Sequence, residues 1–153
     1  LLAEYEYHLY IKLHPLEESQ FKFKNNYSNI HMLSEDIINQ NYGTLYKFLG
    51  TTSALITDYS SVFLDYYLLN RPVAFTINDY EEYKEKRGFA FEDVKSLMAG
   101  PTISNFDELL KFLLSVMKSE DEFCVERNNV NSLVNSIQRD FTKTLLENVG
   151  IEK

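Results

Sequence analysis

Two neighbouring hydroxyls, Ser60 and Ser61, stand between a short apolar run, Ala54-Leu55-Ile56-Thr57, and a longer one from Val62 to Leu69. A strand that passes directly into a helix leaves unpaired N–H groups and the positive end of the helix dipole at the junction, which suits a phosphate. Serine is also a favoured capping residue, so on spacing alone the pair reads as an ordinary N-cap too. His14, just ahead of Pro15, can donate to a phosphate or move a proton near neutral pH, or it is a loop histidine bonded to backbone. Arg87-Gly88 offers a fork of donors beside a residue without a side chain; the alternative is a helix-end arginine on local carbonyls. Asp65, one turn after Ser61 in an otherwise apolar segment, needs a partner if buried, such as Arg71, Arg87 or a ligand hydroxyl. His8 and His31 have no partner in the pattern and read as structural.

Other chemistries are excluded. The five glycines stand at 43, 50, 88, 100 and 150, so neither a dinucleotide fingerprint nor a Walker-type phosphate loop can be written on the chain. No Asp-x-Asp pair is present, and a single cysteine with three histidines is too few ligands for a structural zinc site, so no metal is expected. Cys124, alone, fits a reducing compartment. Fifteen Lys+Arg against 23 Asp+Glu give a net charge of −8, the wrong sign for nucleic acid or an anionic membrane surface. No apolar run approaches the roughly 18 residues of a membrane span.

The elements that must position these residues follow from periodicity. Tyr5, Tyr7, Leu9, Ile11 and Leu13 alternate with polar neighbours, which predicts a strand over 5–13 running out into His14-Pro15, and a second short strand lies around Ile30 to Leu33. Tyr42, Leu45, Tyr46 and Leu49 predict one helix ending at Gly50. Ala54–Thr57 predicts a strand, Val62–Leu69 a buried helix broken by Asn70-Arg71-Pro72, and Val73–Thr76 a buried strand, together a βαβ unit. Asn105 with Glu108 is a capping pair for a helix striped by Phe106, Leu109, Leu110, Leu113, Leu114 and Met117. A last helix carries Val130, Leu133, Val134, Ile137 and Phe141, beyond a polar break at 118–122. The alternation predicts an α/β domain spanning 1–153, its parallel sheet covered by helices on both faces, with 123–153 as a C-terminal helical extension. Such sheets bind ligands at the carboxyl ends of their strands, where His14 and Asp58-Tyr59-Ser60-Ser61 fall.

Ala54 to Tyr66, then Leu69-Asn70-Arg71-Pro72, Asp79-Tyr80-Glu81-Glu82-Tyr83 and Arg87-Gly88-Phe89, with Ile11-Lys12-Leu13-His14-Pro15 upstream and Gly100-Pro101 and Glu108-Leu109-Leu110 downstream, stand in an order that resembles the CDP-glycerol glycerophosphotransferase family, which makes teichoic acid and related capsule polymers. The resemblance implies a Rossmann-like domain, the C-terminal, nucleotide-binding half of a GT-B-like transferase, whose substrate is CDP-glycerol and whose nucleotide site needs no metal or other cofactor. By position, His14 would be one of two important histidines, Ser60 and Ser61 would grip the donor phosphate and Arg87 would neutralise it, all around one diphosphate, while Asp58, Asp65 and Gly88 would orient the donor. Two departures bear on the polyol: Lys12 stands where arginine is frequent, and 92–99 does not follow the family's aromatic-acidic pattern, so ribitol phosphate or another phospho-sugar stays open.

The implied reaction is attack of an acceptor hydroxyl on the β-phosphate of CDP-glycerol with release of CMP, driven by positioning and charge neutralisation. Leu1-Leu2-Ala3-Glu4 carries neither an initiator Met nor a signal sequence, so the chain reads as a piece of a longer protein. The acceptor half, holding the general base and receiving a polymer or lipid-linked acceptor, is then missing, and the piece alone would bind donor without turning it over. The full protein would be cytoplasmic and peripheral on the inner face of the bacterial membrane, touching it only through regions outside this chain. Two competitors remain: a glycosyltransferase or sugar-nucleotide epimerase half using another donor, and a non-catalytic nucleotide-binding module. A receiver-like module would need an acidic pair after its first strand, and 10–14 offers none.

Overall fold

The structure, a computed structural model, describes residues 1–13, 27–89, 91, 93–136 and 140–150. His14 lies outside the described residues, as does Ile137. Two compact units are present, Leu1–Thr52 and Ser53–Lys153. Among the described residues the strands form two separate two-stranded parallel sheets rather than the single sheet expected, and helices accompany both, so the chain is α/β.

In the first unit, strand β1 (Leu9–Lys12) pairs in parallel with β2 (Ile30–Leu33). The predicted strand over 5–13 is shorter than its alternation suggests. Tyr5 N–H donates to Leu1 O and Tyr7 N–H to Leu2 O, and Glu6 takes φ +56°, so local turn bonds hold the segment that the period of two assigned to a ladder. The helix predicted through Tyr42 and Leu49 is two helices, α1 (Glu35–Tyr42) and α2 (Leu45–Leu49). Gly43, at φ +80°, closes α1 by donating to Ile38 O and Asn39 O, a conformation glycine adopts without steric cost. Thr44 then caps α2 by accepting from Lys47 N–H at 3.2 Å. The stripe reads as continuous because Tyr42 and Leu45, on either side of the break, pack on the same buried cluster of Leu33, Ile38 and Phe48.

In the second unit, β3 (Leu55–Thr57), α3 (Val62–Tyr66) and β4 (Val73–Phe75) form the expected βαβ unit, with Leu55 opposite Val73 and Thr57 opposite Phe75. A 3₁₀ turn over Tyr67–Leu69 prolongs α3 and ends at Asn70, which is left-handed at φ +48°. Phe63, Tyr66, Tyr67 and all of β4 are buried, so the continuous apolar run does mark the core. Phe75 also pairs in parallel with Thr102, adding an edge to β4. Gly100 is fixed there by close approach: a Cβ on it would lie 1.9 Å from Val73 O.

Among the described residues four α-helices complete the unit, α4 (Tyr80–Lys86), α5 (Phe106–Met117), α6 (Cys124–Val134) and α7 (Phe141–Asn148), with a 3₁₀ turn over Val94–Leu97. The capping pair of α5 forms as predicted. Glu108 N–H donates to Asn105 Oδ1 at 3.0 Å, and the Glu108 carboxylate accepts from Ser104 N–H at 2.6 Å. Its stripe is rotated, however: Phe112 and Val116 are buried and Phe106 is 68% exposed. Eight apolar residues in twelve cover more than one face, so the pattern does not say which face turns inward. The helix expected through Val130 and Phe141 ends at Val134, where the Asn135 amide turns back to donate to Leu64 O and Asn131 Oδ1. Leu133 and Phe141 are consequently exposed.

Arg127 of α6 has a fully buried guanidinium, ion-paired with Asp121 through both terminal nitrogens. Its Nε donates to Asn70 Oδ1 at 3.2 Å and Nη2 to Asn70 O at 3.4 Å, which ties α6 to the left-handed turn that closes the βαβ helix.

Candidate functional site

The carboxyl ends of β3 and β4 lead into two turns that meet. After β3, Asp58 Oδ1 accepts from Ser60 N–H at 2.9 Å, an Asx turn that sets the path into α3. Asp58 is thereby a positioning residue, and the Ser60 N–H is already engaged. Ser61 occupies the N-cap position of α3 at φ −61°, ψ −7°, and its side chain makes no capping bond. The ordinary capping role, open on spacing alone, is therefore not the one Ser61 plays. Ser60 and Ser61 are both exposed.

After β4, the turn through Asn78 and Asp79 starts α4. Tyr59 donates its phenol to Asp79 Oδ1 at 2.8 Å, joining the two turns. The Tyr59 ring stacks on Tyr83 at 4.2 Å between centroids and lies 5.5 Å from Phe89, and Phe89 stacks on Tyr80 at 5.1 Å. Burial, the bond to the Asp79 carboxylate and the negative charges of Asp79 and Asp58 hold the Tyr59 phenol protonated far above the ordinary tyrosine range. Arg87 sits at the end of α4 with its guanidinium carbon 5.9 Å from the centre of the Tyr83 ring. Stacked rings thus connect the two-serine turn to Arg87. Arg87 is exposed, so its donors face solvent.

Gly88 has a structural role. At φ +68° its N–H donates to Tyr83 O and Lys84 O, closing α4. Asp65 is exposed on α3, and the burial cost anticipated for it does not arise. The structure thus brings Asp58, Ser60, Ser61, Arg87 and Gly88 to one corner of the second unit; Asp65 lies on the same helix as Ser61, one turn on. Tyr59, Asp79 and Tyr83 were missed as the parts that join this corner. The available signal was that Tyr59 and Asp79 each lie a few residues past the end of consecutive parallel strands. Elsewhere, His8 Nδ1 and His31 Nε2 are 2.8 Å apart, so the two histidines without a predicted partner pair with each other.

Among the described residues no three His, Cys, Asp or Glu side chains group so as to hold a metal ion, and no helix is long and apolar enough to cross a membrane.

The profile of the CDP-Glycerol:Poly(glycerophosphate) glycerophosphotransferase family matches residues 2–141. The chain belongs to this family. Among its relatives, the teichoic acid glycerol-phosphate primase of Bacillus subtilis strain 168 is 32% identical over 105 residues, 69% of this chain and 26% of the primase. The teichoic acid poly(ribitol-phosphate) polymerase of Bacillus spizizenii is 32% identical over 117 residues, 75% of this chain and 17% of the polymerase. The teichoic acid glycerol-phosphate transferase of Staphylococcus aureus is 36% identical over 77 residues, 50% of this chain and 20% of the transferase. The chain thus spans about a quarter or less of the length of these relatives. No solved structure matches it.

Proposed function

We propose that this chain is the donor-binding half of a glycerophosphotransferase, a Rossmann-like domain of GT-B type that binds CDP-glycerol without a metal or other cofactor. The observation that carries the reading is the two-serine turn. In a member of the glycerophosphotransferase family, the exposed Ser60 and Ser61 stand where a parallel strand passes into a helix, with the Ser61 hydroxyl not spent on capping. Ser60, Ser61 and Arg87 hold the donor diphosphate; Asp58 and Gly88 shape the turns that present them, and Asp65 orients donor-side groups. His14 serves as a proton-transfer or phosphate-donating residue, on the strength of the resemblance of Ile11-Lys12-Leu13-His14-Pro15.

In the longer protein, an acceptor hydroxyl attacks the β-phosphorus of CDP-glycerol. The new P–O bond extends the polymer, the bond to the α-phosphate breaks, and CMP leaves with the released charge. Helix-end N–H groups, the serine hydroxyls and the guanidinium stabilise that charge, while a base on the acceptor half takes the hydroxyl proton. The product is a teichoic-acid-like or capsular polymer made at the cytoplasmic face of the membrane, where a peripheral protein would meet a lipid-linked acceptor. A ribitol-phosphate donor is the second reading, favoured by a ribitol-phosphate polymerase that is 32% identical to this chain, as is a glycerol-phosphate primase.

The test is CMP release from CDP-glycerol by the full-length protein containing this chain. Arg87→Ala and the double change Ser60→Ala with Ser61→Ala should each lower kcat/KM by about tenfold or more, the scale of one lost charge-assisted contact. Unchanged kcat/KM in both would remove the donor site from this corner.

A further inference from the structure

A cavity whose lining includes neither serine of the two-serine turn nor Arg87 opens beside them on the same carboxyl edge of the sheet. Its volume is about 500 Å³, and it is lined by Ile77 and Asn78 after β4, by Lys95 and Met98, and by Gly100, Thr102 and Ser104 on the added edge. In a chain with 23 acidic and 15 basic residues, the described residues that line this cavity include one lysine and no carboxylate. Among the described residues, Lys95 Nζ has no ion-pair partner; it rests 3.6 Å from the centre of the Tyr80 ring. No hydrogen bond among the described residues engages the side chains of Asn78, Thr102 or Ser104. The acids next to the lining residues in sequence are engaged elsewhere: Asp79 accepts from the Tyr59 phenol, Asp93 accepts from Ser96 N–H, and Glu108 accepts from Ser104 N–H and lines, with Asp107, another groove that also includes Thr102.

We propose that this cavity is a subsite for a phosphodiester. A diester carries one negative charge and several acceptor oxygens. One ammonium, two hydroxyls and a carboxamide match that demand, whereas a phosphate dianion or a diphosphate would call for more cations. Lysine binds phosphate as a point charge, and the Tyr80 ring holds the ammonium in place without neutralising it. That the diester belongs to a polyol-phosphate polymer rests on the function proposed above; that the cavity takes a diester does not.

The experiment is an NMR titration of the 153-residue chain with glycerophosphoglycerol, a glycerol phosphodiester, and with inorganic phosphate in parallel. Saturable shifts of the Asn78, Thr102 and Ser104 amides are expected with the diester. Binding should weaken about tenfold in Lys95→Gln, the loss of one charge-assisted hydrogen bond. It should weaken in Thr102→Val, and stay unchanged in Arg87→Ala. Absence of saturable shifts, equal affinity in Lys95→Gln, or tighter binding of inorganic phosphate than of the diester each overturns the proposal. A CDP-glycerol titration of the same sample separates the two sites. If the nucleotide moves the amides of 58–62 and 87–88 while the diester leaves the cavity still, this subsite falls and the donor site stands; the reverse pattern sinks the donor site alone.

Discussion

The phenol of Tyr59 donates to Asp79 Oδ1 across 2.8 Å, and the two residues follow consecutive parallel strands, twenty positions apart in the chain. This bond, with the Tyr59–Tyr83 stack beside it, sets the two-serine turn against the helix that ends in Arg87.

Tyr59→Phe keeps the stack and removes the bond, leaving the Asp79 carboxylate to water. A stability loss of about 1 kcal/mol is expected from urea unfolding, the scale of one hydrogen bond. Tyr59→Ala also removes the ring and should cost clearly more. Equal losses in the two variants would mean that the stack contributes nothing.

Alkaline pH should destabilise the protein through two tyrosines. Tyr67, fully buried, donates to Leu97 O and accepts from Ala99 N–H; burial outweighs the Ala99 bond and Arg127 and pushes its phenol up to about 12. Tyr59 is raised as well. Both pKa values are higher in the folded than in the unfolded chain, so their stability contribution is complete below pH 10. It declines as the unfolded chain ionises above pH 10, until the folded values are passed. For Tyr67 the loss between pH 10 and 12 is roughly 3 kcal/mol. Absorbance titration of the folded protein should leave Tyr59 and Tyr67 protonated well above pH 10, and complete tyrosine ionisation near pH 10 with the fold intact would contradict this.

Asp121→Ala leaves the buried Arg127 guanidinium without its counter-ion and should cost about 3 kcal/mol or more. Arg127→Met removes the charge while filling much of its volume, and should cost less. Denaturant midpoints in the reverse order would show that the charge is not what holds α6 to Asn70.

Gly100→Ala places a methyl 1.9 Å from Val73 O, where backbone in a buried strand cannot yield. A loss of about 3 kcal/mol is expected on thermal unfolding, together with loosening of the Phe75–Thr102 bridge and of the cavity beside it.

Much of this was legible in the sequence. The βαβ unit, its break at Asn70 and the capping pair at Asn105 and Glu108 followed from period, composition and local chemistry, because each is fixed by residues close in the chain. Alternation at 5–8 misled because turn bonds among the first seven residues compete with a ladder, and periodicity does not report that competition. The stripe on α5 misled because an almost wholly apolar helix names no inward face. Among the candidate site residues, Ser60, Ser61 and Arg87 stood out by type and position. Tyr59 and Asp79 did not, since what joins them is a cross-strand relationship that exists only once β3 and β4 are in register. Arg127 was missed for the same reason: a surface-type residue on a helix, buried by partners at 70 and 121.

The most direct test of the account is an NMR titration of the chain with CDP-glycerol, CDP, UDP and ADP in EDTA. The account predicts cytidine-selective shifts of the amides of 58–62 and 87–88 that persist without metal and weaken in Ser61→Ala and Arg87→Ala. Amides there that stay unmoved by every nucleotide, or that respond to UDP or ADP as strongly as to CDP-glycerol, would contradict it.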